Sequence, residues 1–318
     1  MVNLLTTNIQ DKLKVAVTIA TADSLPIGLL VEPAKPATIF VAGTHVRYWA
    51  DVGAKADEPE TFVLPLDMAK MILALKKGKT VALTNQGGLL HLESEGVTSE
   101  TPIIGGFVFD EKPKLVQRLN GLQRLLAPSV GTNVGIASDG DVVFSVFDDE
   151  VRVVMVQEKE QLPQFSVLLN KAHVDFVRRV VTGPALVSLR DSLFTASCND
   201  AIVAIPYETA PIDKMPPMSK KLGELGPELT DFLRLSKEPQ THIYAGLLES
   251  EGQSRIRVEA PRVSAGCDVW LTTNHIDPRT YGLKPGVTIG ETQMAFSVVI
   301  LTDGTTSVYL APHVEFKV

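Results

Sequence analysis

The stretch Thr61–Ile103, TFVLPLDMAKMILALKKGKTVALTNQGGLLHLESEGVTSETPI, decides the fold. It opens as an extended apolar strip, passes into the run AKMILALKKG and finishes as alternating strands. On a helical wheel Met68, Met71, Ile72 and Leu75 share one side, while Lys70 and Lys77 share the other. Gly78 is placed to close that helix in the left-handed region. In TVALTNQGGLLHLES apolar positions alternate on either side of Gly87 and Gly88, which predicts a half-buried hairpin with the glycines at its turn. One unit is therefore a strand, a short helix, a glycine and a run of strands.

The same order returns twice, at intervals of roughly 100 residues. FSVLLNKAHVDFVRRVVTG ends at Gly183 and leads into PALVSLRDSLFTASCNDAIVAIPY; VWLTTNHIDPRTYGLKPG ends at Gly286 and leads into VTIGETQMAFSVVILTDGTTSVYLAP. Letter identity between the copies is low, so the pattern is what repeats. Each copy is preceded by a further helix-plus-strands unit. TNIQDKLKVAVTIATA runs into PIGLLVE, ATIFVAG and HVRYWADV; KPKLVQRLNGLQRLLAP runs into NVGIASDGDVVFSVFDDEVRVVMVQ. GPELTDFLRLSKEP runs into THIYAGLLESEGQSRIRVEAP. Six units of roughly 50 residues pair into three domains, 1–111, 112–213 and 214–318, the last joined through the Pro-rich YETAPIDKMPPMSKK. The predicted class is α+β.

The predicted helices share a second feature. Lys14 points away from Leu13, Ala16, Val17 and Ala20. Lys114, Gln117 and Arg124 oppose Leu115, Leu119, Leu122 and Leu126, and Lys171 and Arg178 repeat the seven-residue spacing of Lys70 and Lys77. Arg234 and Lys237 continue the series. A lysine on a solvated helix face is ordinary, and any single helix reads that way. If six helices stand on one side of a continuous sheet, however, their outer faces join into one basic wall. The chain as a whole carries a net charge of −7, so a DNA contact has to be local.

With these features in place the sequence resembles a DNA sliding clamp of the three-domain bacterial beta type. TFVLPLDMAKMILALKKG resembles the strand leading into the second helix of that family's first domain, and IFVAGTHVRYWADV the strand pair before it. The ending SVYLAPHVEFKV resembles the family's C-terminus, with Pro312 one place earlier and a longer tail. The resemblance implies helices lining a central hole with sheets outside, and two chains joined head to tail through their first and third domains. It implies non-specific encirclement of double-stranded DNA, a homodimer, and short peptides of DNA polymerase and clamp loader as partners. The DNA-facing set is then Lys14, Lys70, Lys77, Lys114, Arg124, Lys171, Arg178, Arg234 and Lys237. The peptide pocket carried over by position comprises Phe147, Val151, Val153, Pro211, Ile212, Ala311, Pro312 and Val314. There FDDEVRV replaces the family's TDGHRL-like loop, without its His. The length is below that usual for cellular bacterial clamps, which fits a phage-encoded chain.

Composition and motifs argue against other classes. Apolar residues make up 45% and charged residues 21%, and no apolar run reaches the ~20 residues of a membrane helix. No secretory signal is apparent, and two cysteines without metal spacing fit a reducing, cytoplasmic compartment. Six histidines show no His-Glu-x-x-His spacing, and no phosphate-cradling glycine motif appears. The acids of SDGDVVFSVFDDE miss the calcium-loop spacing, and Asp139-Gly140 reads as a hairpin turn. No catalysis, metal or cofactor is expected. The rival reading is a repeat-built structural protein of a virion or other assembly, which would need no basic helix faces.

Overall fold

The computed structural model describes residues 1–55, 58–126, 132–140, 142–147, 152–158, 160–211, 218–224, 242–250, 253–259, 269–272, 283–284, 286–292 and 298–310. They fall into two compact units, Met1–Leu119 with Asp175–Tyr207, and Asn120–Val174 with Glu208–Val318.

In the first unit helix α1 (Thr6–Asp23) buries Ile9, Leu13, Ala16, Ile19 and Ala20, a stripe at helical spacing. It stops at Ser24, whose positive φ of 55° turns the chain out ahead of Pro26. Helix α2 (Leu66–Ala74) follows Pro65, carries Asp67 in its first turn and buries Met68, Ala69 and Ile72. The predicted hairpin is present: Thr80–Gln86 pairs with Leu89–Ser94, and Gly87 and Gly88 take φ of 60° and 80° at its turn. Val2–Leu5 and Val97–Pro102 extend that sheet, which Ala54–Lys55 completes.

Helix α2 ends sooner than its sequence predicts. Thr6 and Gln10, both buried in α1, occupy the carbonyls that another turn would use. The Thr6 hydroxyl donates to Lys76 O at 3.0 Å and accepts from Lys79 N–H at 3.0 Å. Gln10 Nε2 donates to Ile72 O at 3.2 Å and Leu75 O at 2.7 Å. Gly78 does take a left-handed φ of 85°, but in the turn beyond the helix.

A second antiparallel sheet of this unit runs Glu60–Leu64, Ile27–Val31, Ala37–Ala42, Arg47–Val52, Ala201–Glu208, Leu193–Cys198, Ala185–Arg190 and Gln117–Leu119. Strands from the first repeat thus continue into strands after Gly183 through Ala201–Ala204 against Arg47–Ala50. Residues 103–116 cross it without regular structure. Phe107 packs edge-on and Phe109 tilted against Phe40, with ring centres 6.0 and 5.8 Å apart, and Gly28 leaves the room they fill: a Cβ there would lie 2.4 Å from Phe107. Trp49 Nε1 donates to Asp110 O at 3.0 Å, Arg47 pairs with Asp110 at 3.4 Å, and Lys112 pairs with Asp51.

The predicted long helix at KPKLVQRLNGLQRLLAP does not form. Gln117–Leu119 is a strand paired with Ala185–Val187, and only Leu122–Leu126 is helical (α3). The apolar spacing suits a helix, but distant groups claim the backbone. In the second unit the buried Glu158 carboxylate accepts from Gly121 N–H at 2.7 Å, Asn120 N–H at 3.1 Å and Asn120 Nδ2 at 2.9 Å. Gly121 also sits so close to Val156 that a Cβ would come within 2.4 Å of it.

The main sheet of the second unit is antiparallel, in the order Lys220–Glu224, Thr288–Thr292, Val298–Thr302, Thr306–Leu310, Arg152–Gln157, Val142–Phe147, Val134–Asp139 and Phe165–Leu169. Ala137, Ile300 and Tyr309 form a buried cluster in it. His242–Ser250 is flanked by Gln253–Glu259 and Val269–Thr272 in a smaller sheet. Helix α4 (Lys171–Val180) is capped by Asn170, whose Oδ1 accepts from Ala172 N–H at 2.8 Å. It closes with Val181 N–H donating to Val177 O at 2.7 Å; Gly183 lies beyond it and is not left-handed.

Candidate nucleic-acid interface

The helices place the predicted cations unequally. Lys14 is exposed on α1, between the buried Leu13 and Ala16, and Lys70 is exposed on α2. Lys77 is 70% exposed but lies in the turn after α2, with Asp11 of α1 3.9 Å away. Lys114 is exposed on the irregular segment 103–116, where the sequence predicted a helix. Arg124 is half-buried on α3, and its Nη1 donates to Thr306 Oγ1 at 2.8 Å, so it braces the last described strand. Lys171 is exposed at the first position of α4, where the positive end of the helix dipole disfavours a cation by ~0.3–1 kcal/mol. An anionic partner would offset that cost. Arg178 is half-buried and paired with Asp175 at 3.1 Å. Arg234 and Lys237 lie outside the described residues.

One cation escaped the sequence reading. Arg179 stands beside Arg178 and off the seven-residue spacing, yet it is exposed, and its Nη1 donates to Thr18 Oγ1 of α1 at 3.3 Å. Its guanidinium lies 6.0 Å from the centre of the Phe176 ring.

The predicted peptide pocket is only partly within the described residues. Val151, Ile212, Ala311, Pro312 and Val314 lie outside them. Phe147 and Val153 stand on paired strands, with Phe147 opposite Arg152, Arg152 opposite Leu310 and Val153 opposite Tyr309. Pro211 is exposed and follows Ala210, whose carbonyl accepts from the Ser166 hydroxyl. Ser166 belongs to Phe165–Leu169, four strand positions from Thr306–Leu310 in the sheet order, about 19 Å at the usual strand spacing.

No three His, Cys, Asp or Glu side chains among the described residues gather as a metal site would require. Asp139 and Val142 close a hairpin with Gly140 at φ 69°, the turn its sequence predicts. Cys198 is buried, and Cys267 lies outside the described residues. No helix among the described residues is long and apolar enough to cross a membrane.

Repeated helices backed by antiparallel strands, with sheets that run on from one repeat into the next, define the α+β DNA-clamp fold. No family model and no curated protein matches the sequence. Among solved structures the chain is similar to the DNA polymerase III beta subunit of Pseudomonas aeruginosa, with TM-score 0.69 and 13% identity over 99% of this chain and 100% of that one. It is similar to the beta subunit of Streptococcus pyogenes DNA polymerase, with TM-score 0.68, 12% identity, and 99% and 100% covered. The beta subunit from Thermotoga maritima gives TM-score 0.65, 13% identity, and 99% of both chains covered.

Proposed function

We propose that the chain is a DNA sliding clamp that encircles duplex DNA without sequence preference and tethers a replicative polymerase. The observation that carries this is correspondence over the whole length, 98–100% of both chains, with polymerase III beta subunits. The exposed cations on α1, α2 and α4 add to it. Scattered lysines and arginines supply a phosphate attraction that fixes no register, as sliding demands. The acidic remainder would discourage DNA from binding outside. The role is non-catalytic, at DNA in the cytoplasm, with domains 1–111, 112–213 and 214–318 placed as three arcs. A structural protein is not favoured, because nothing in such a role calls for this fold or for recurrent basic helices.

Two chains would close the ring head to tail. Among the described residues Val97–Pro102 pairs on one side only, and so does Gln253–Glu259. The first edge lies near Glu93, Glu95 and Glu100, while the second strand carries Arg255 and Arg257. Pairing the two between chains would join opposite charges and cover both edges. The partner peptide would lie between Pro211 and the end of strand Thr306–Leu310. Removing 313–318 should abolish binding of a polymerase-tail peptide, and full affinity would exclude that pocket.

The test of encirclement is topological. Protein concentrated from dilute solution in the presence of nicked circular plasmid should stay on the circle through a high-salt wash and leave when the plasmid is linearised. Equal retention on circular and linear DNA, or retention on neither, would overturn the proposal.

A further inference from the structure

Segment 103–116 lies on the first unit as a bound peptide lies on a receptor. Ile103 N–H donates to Gly88 O and Val116 N–H to Val187 O; between them, among the described residues, the segment makes no backbone–backbone hydrogen bond. Side chains hold it instead. Phe107 and Phe109 pack on the buried cluster of Phe40, Trp49 and Ala204, while Val108 between them is 74% exposed. That is the alternation of an extended chain with anchors two residues apart. The two rings meet edge to face at 5.0 Å, over the space that Gly28 leaves open. Polar contacts sit at one end: the Trp49 indole donates to Asp110 O at 3.0 Å, and Arg47 pairs with the Asp110 carboxylate at 3.4 Å. Gly105 and Gly106, the latter at a left-handed φ of 76°, precede the anchors, and Pro113 follows them.

The register of the sheets adds a second observation. One row of paired residues runs Gly28, Phe40, Trp49, Ile202 across the first unit. In the second unit the row Gly290, Ile300, Tyr309, Val153 has the same order, glycine first. There Met218 covers the glycine: a Cβ at Gly290 would lie 2.3 Å from its Sδ. Each unit thus has a glycine-ended row of apolar residues covered by a connecting segment. We infer that the face around Phe40 and Trp49 is a peptide-binding groove, filled in the free protein by the chain's own Phe107–Asp110. Its occupant in trans is a partner's extended segment of the same pattern, two aromatic residues one apart followed by an acid. The resident segment shows what the groove accepts: rings beside Phe40 and a carboxylate against Arg47. Anchors at alternate positions are a recurring mode of extended-peptide recognition. The inference needs only contacts within the first unit, and so stands apart from the encirclement and from the pocket proposed above.

The probe is a labelled peptide of residues 105–114, GGFVFDEKPK, added to the full chain and followed by anisotropy. A tethered segment competes at an effective concentration on the order of mM, so the wild type should bind the peptide only weakly. Phe107→Ala with Phe109→Ala empties the groove and should tighten peptide binding about tenfold or more. The same peptide with alanine at both aromatic positions should not bind that variant. A folded double variant that binds no better than wild type, or that takes both peptides equally, would overturn the groove. Should the double variant fail to fold, Asp110→Lys decides: it keeps both rings and sets two cations together at Arg47. That loosens the resident segment alone and should tighten peptide binding about two- to fivefold. Wild-type affinity in Asp110→Lys would then overturn the groove.

Discussion

Gln10 of the first helix donates from Nε2 to the carbonyl of Leu75, 2.7 Å away, immediately after the second helix ends. With Ile72 O also within its reach at 3.2 Å, one buried amide serves the carbonyls that every helix C-terminus leaves without partners. It fixes where α2 stops, and so where the Lys76–Lys77 turn begins. Gln10→Ala strips that partner from a buried place and should cost about 1–3 kcal/mol in urea unfolding. An unchanged midpoint would show that water serves those carbonyls equally well.

Gly121→Ala should destabilise by ~1–3 kcal/mol, because the added methyl meets the Val156 side chain at 2.4 Å. Val156→Ala removes the obstruction, so the double variant should recover part of the loss. Strictly additive effects in that cycle would contradict the close approach.

Asp303 links pH to stability. Partial burial raises its pKa, but donors from Lys284 N–H, Thr305 N–H, Thr306 N–H and the Thr305 hydroxyl outweigh it and hold the carboxyl below the usual range. A carboxylate depressed in the folded state contributes stability above its unfolded pKa of ~3.9, and loses it as pH falls through the folded value. Asp303→Asn should therefore be less stable than wild type at neutral pH, with the gap narrowing in acid below about pH 4. A gap that stays constant with pH would show that the carboxylate charge plays no part.

Lys70→Glu, Lys77→Glu, Lys171→Glu and Arg178→Glu combined should weaken DNA retention and flatten its salt dependence by up to ~3.6 in slope, while the oligomer stays intact. Lys70 and Lys171 should carry most of that effect. Arg178 is shared with Asp175, and Lys77 lies off the helix near Asp11. Unchanged retention would remove these residues from the interface.

Local periodicity was enough to find α1, α2 and the Gly87–Gly88 hairpin, because their buried faces repeat at the spacing of the element itself. It failed where a distant group overrode it. Leu115, Leu119, Leu122 and Leu126 have helical spacing, yet the open edge of Ala185–Arg190 and the carboxylate of Glu158 draw that segment into a strand and a tight turn. Arg179 was missed for the same reason: its partner Thr18 lies 161 residues earlier, beyond any pattern within one helix. A search for neighbouring cations at a helix C-terminus would have flagged it, but not what it touches. Five of the eight pocket residues taken by position, Val151, Ile212, Ala311, Pro312 and Val314, lie outside the described residues.

Particle imaging of the purified protein at a concentration that favours association asks most directly whether six helix-lined modules close around DNA. Class averages should show a ring of two chains with six similar lobes and a hole wide enough for a duplex. Solid particles, open filaments, or rings with another number of lobes would contradict it.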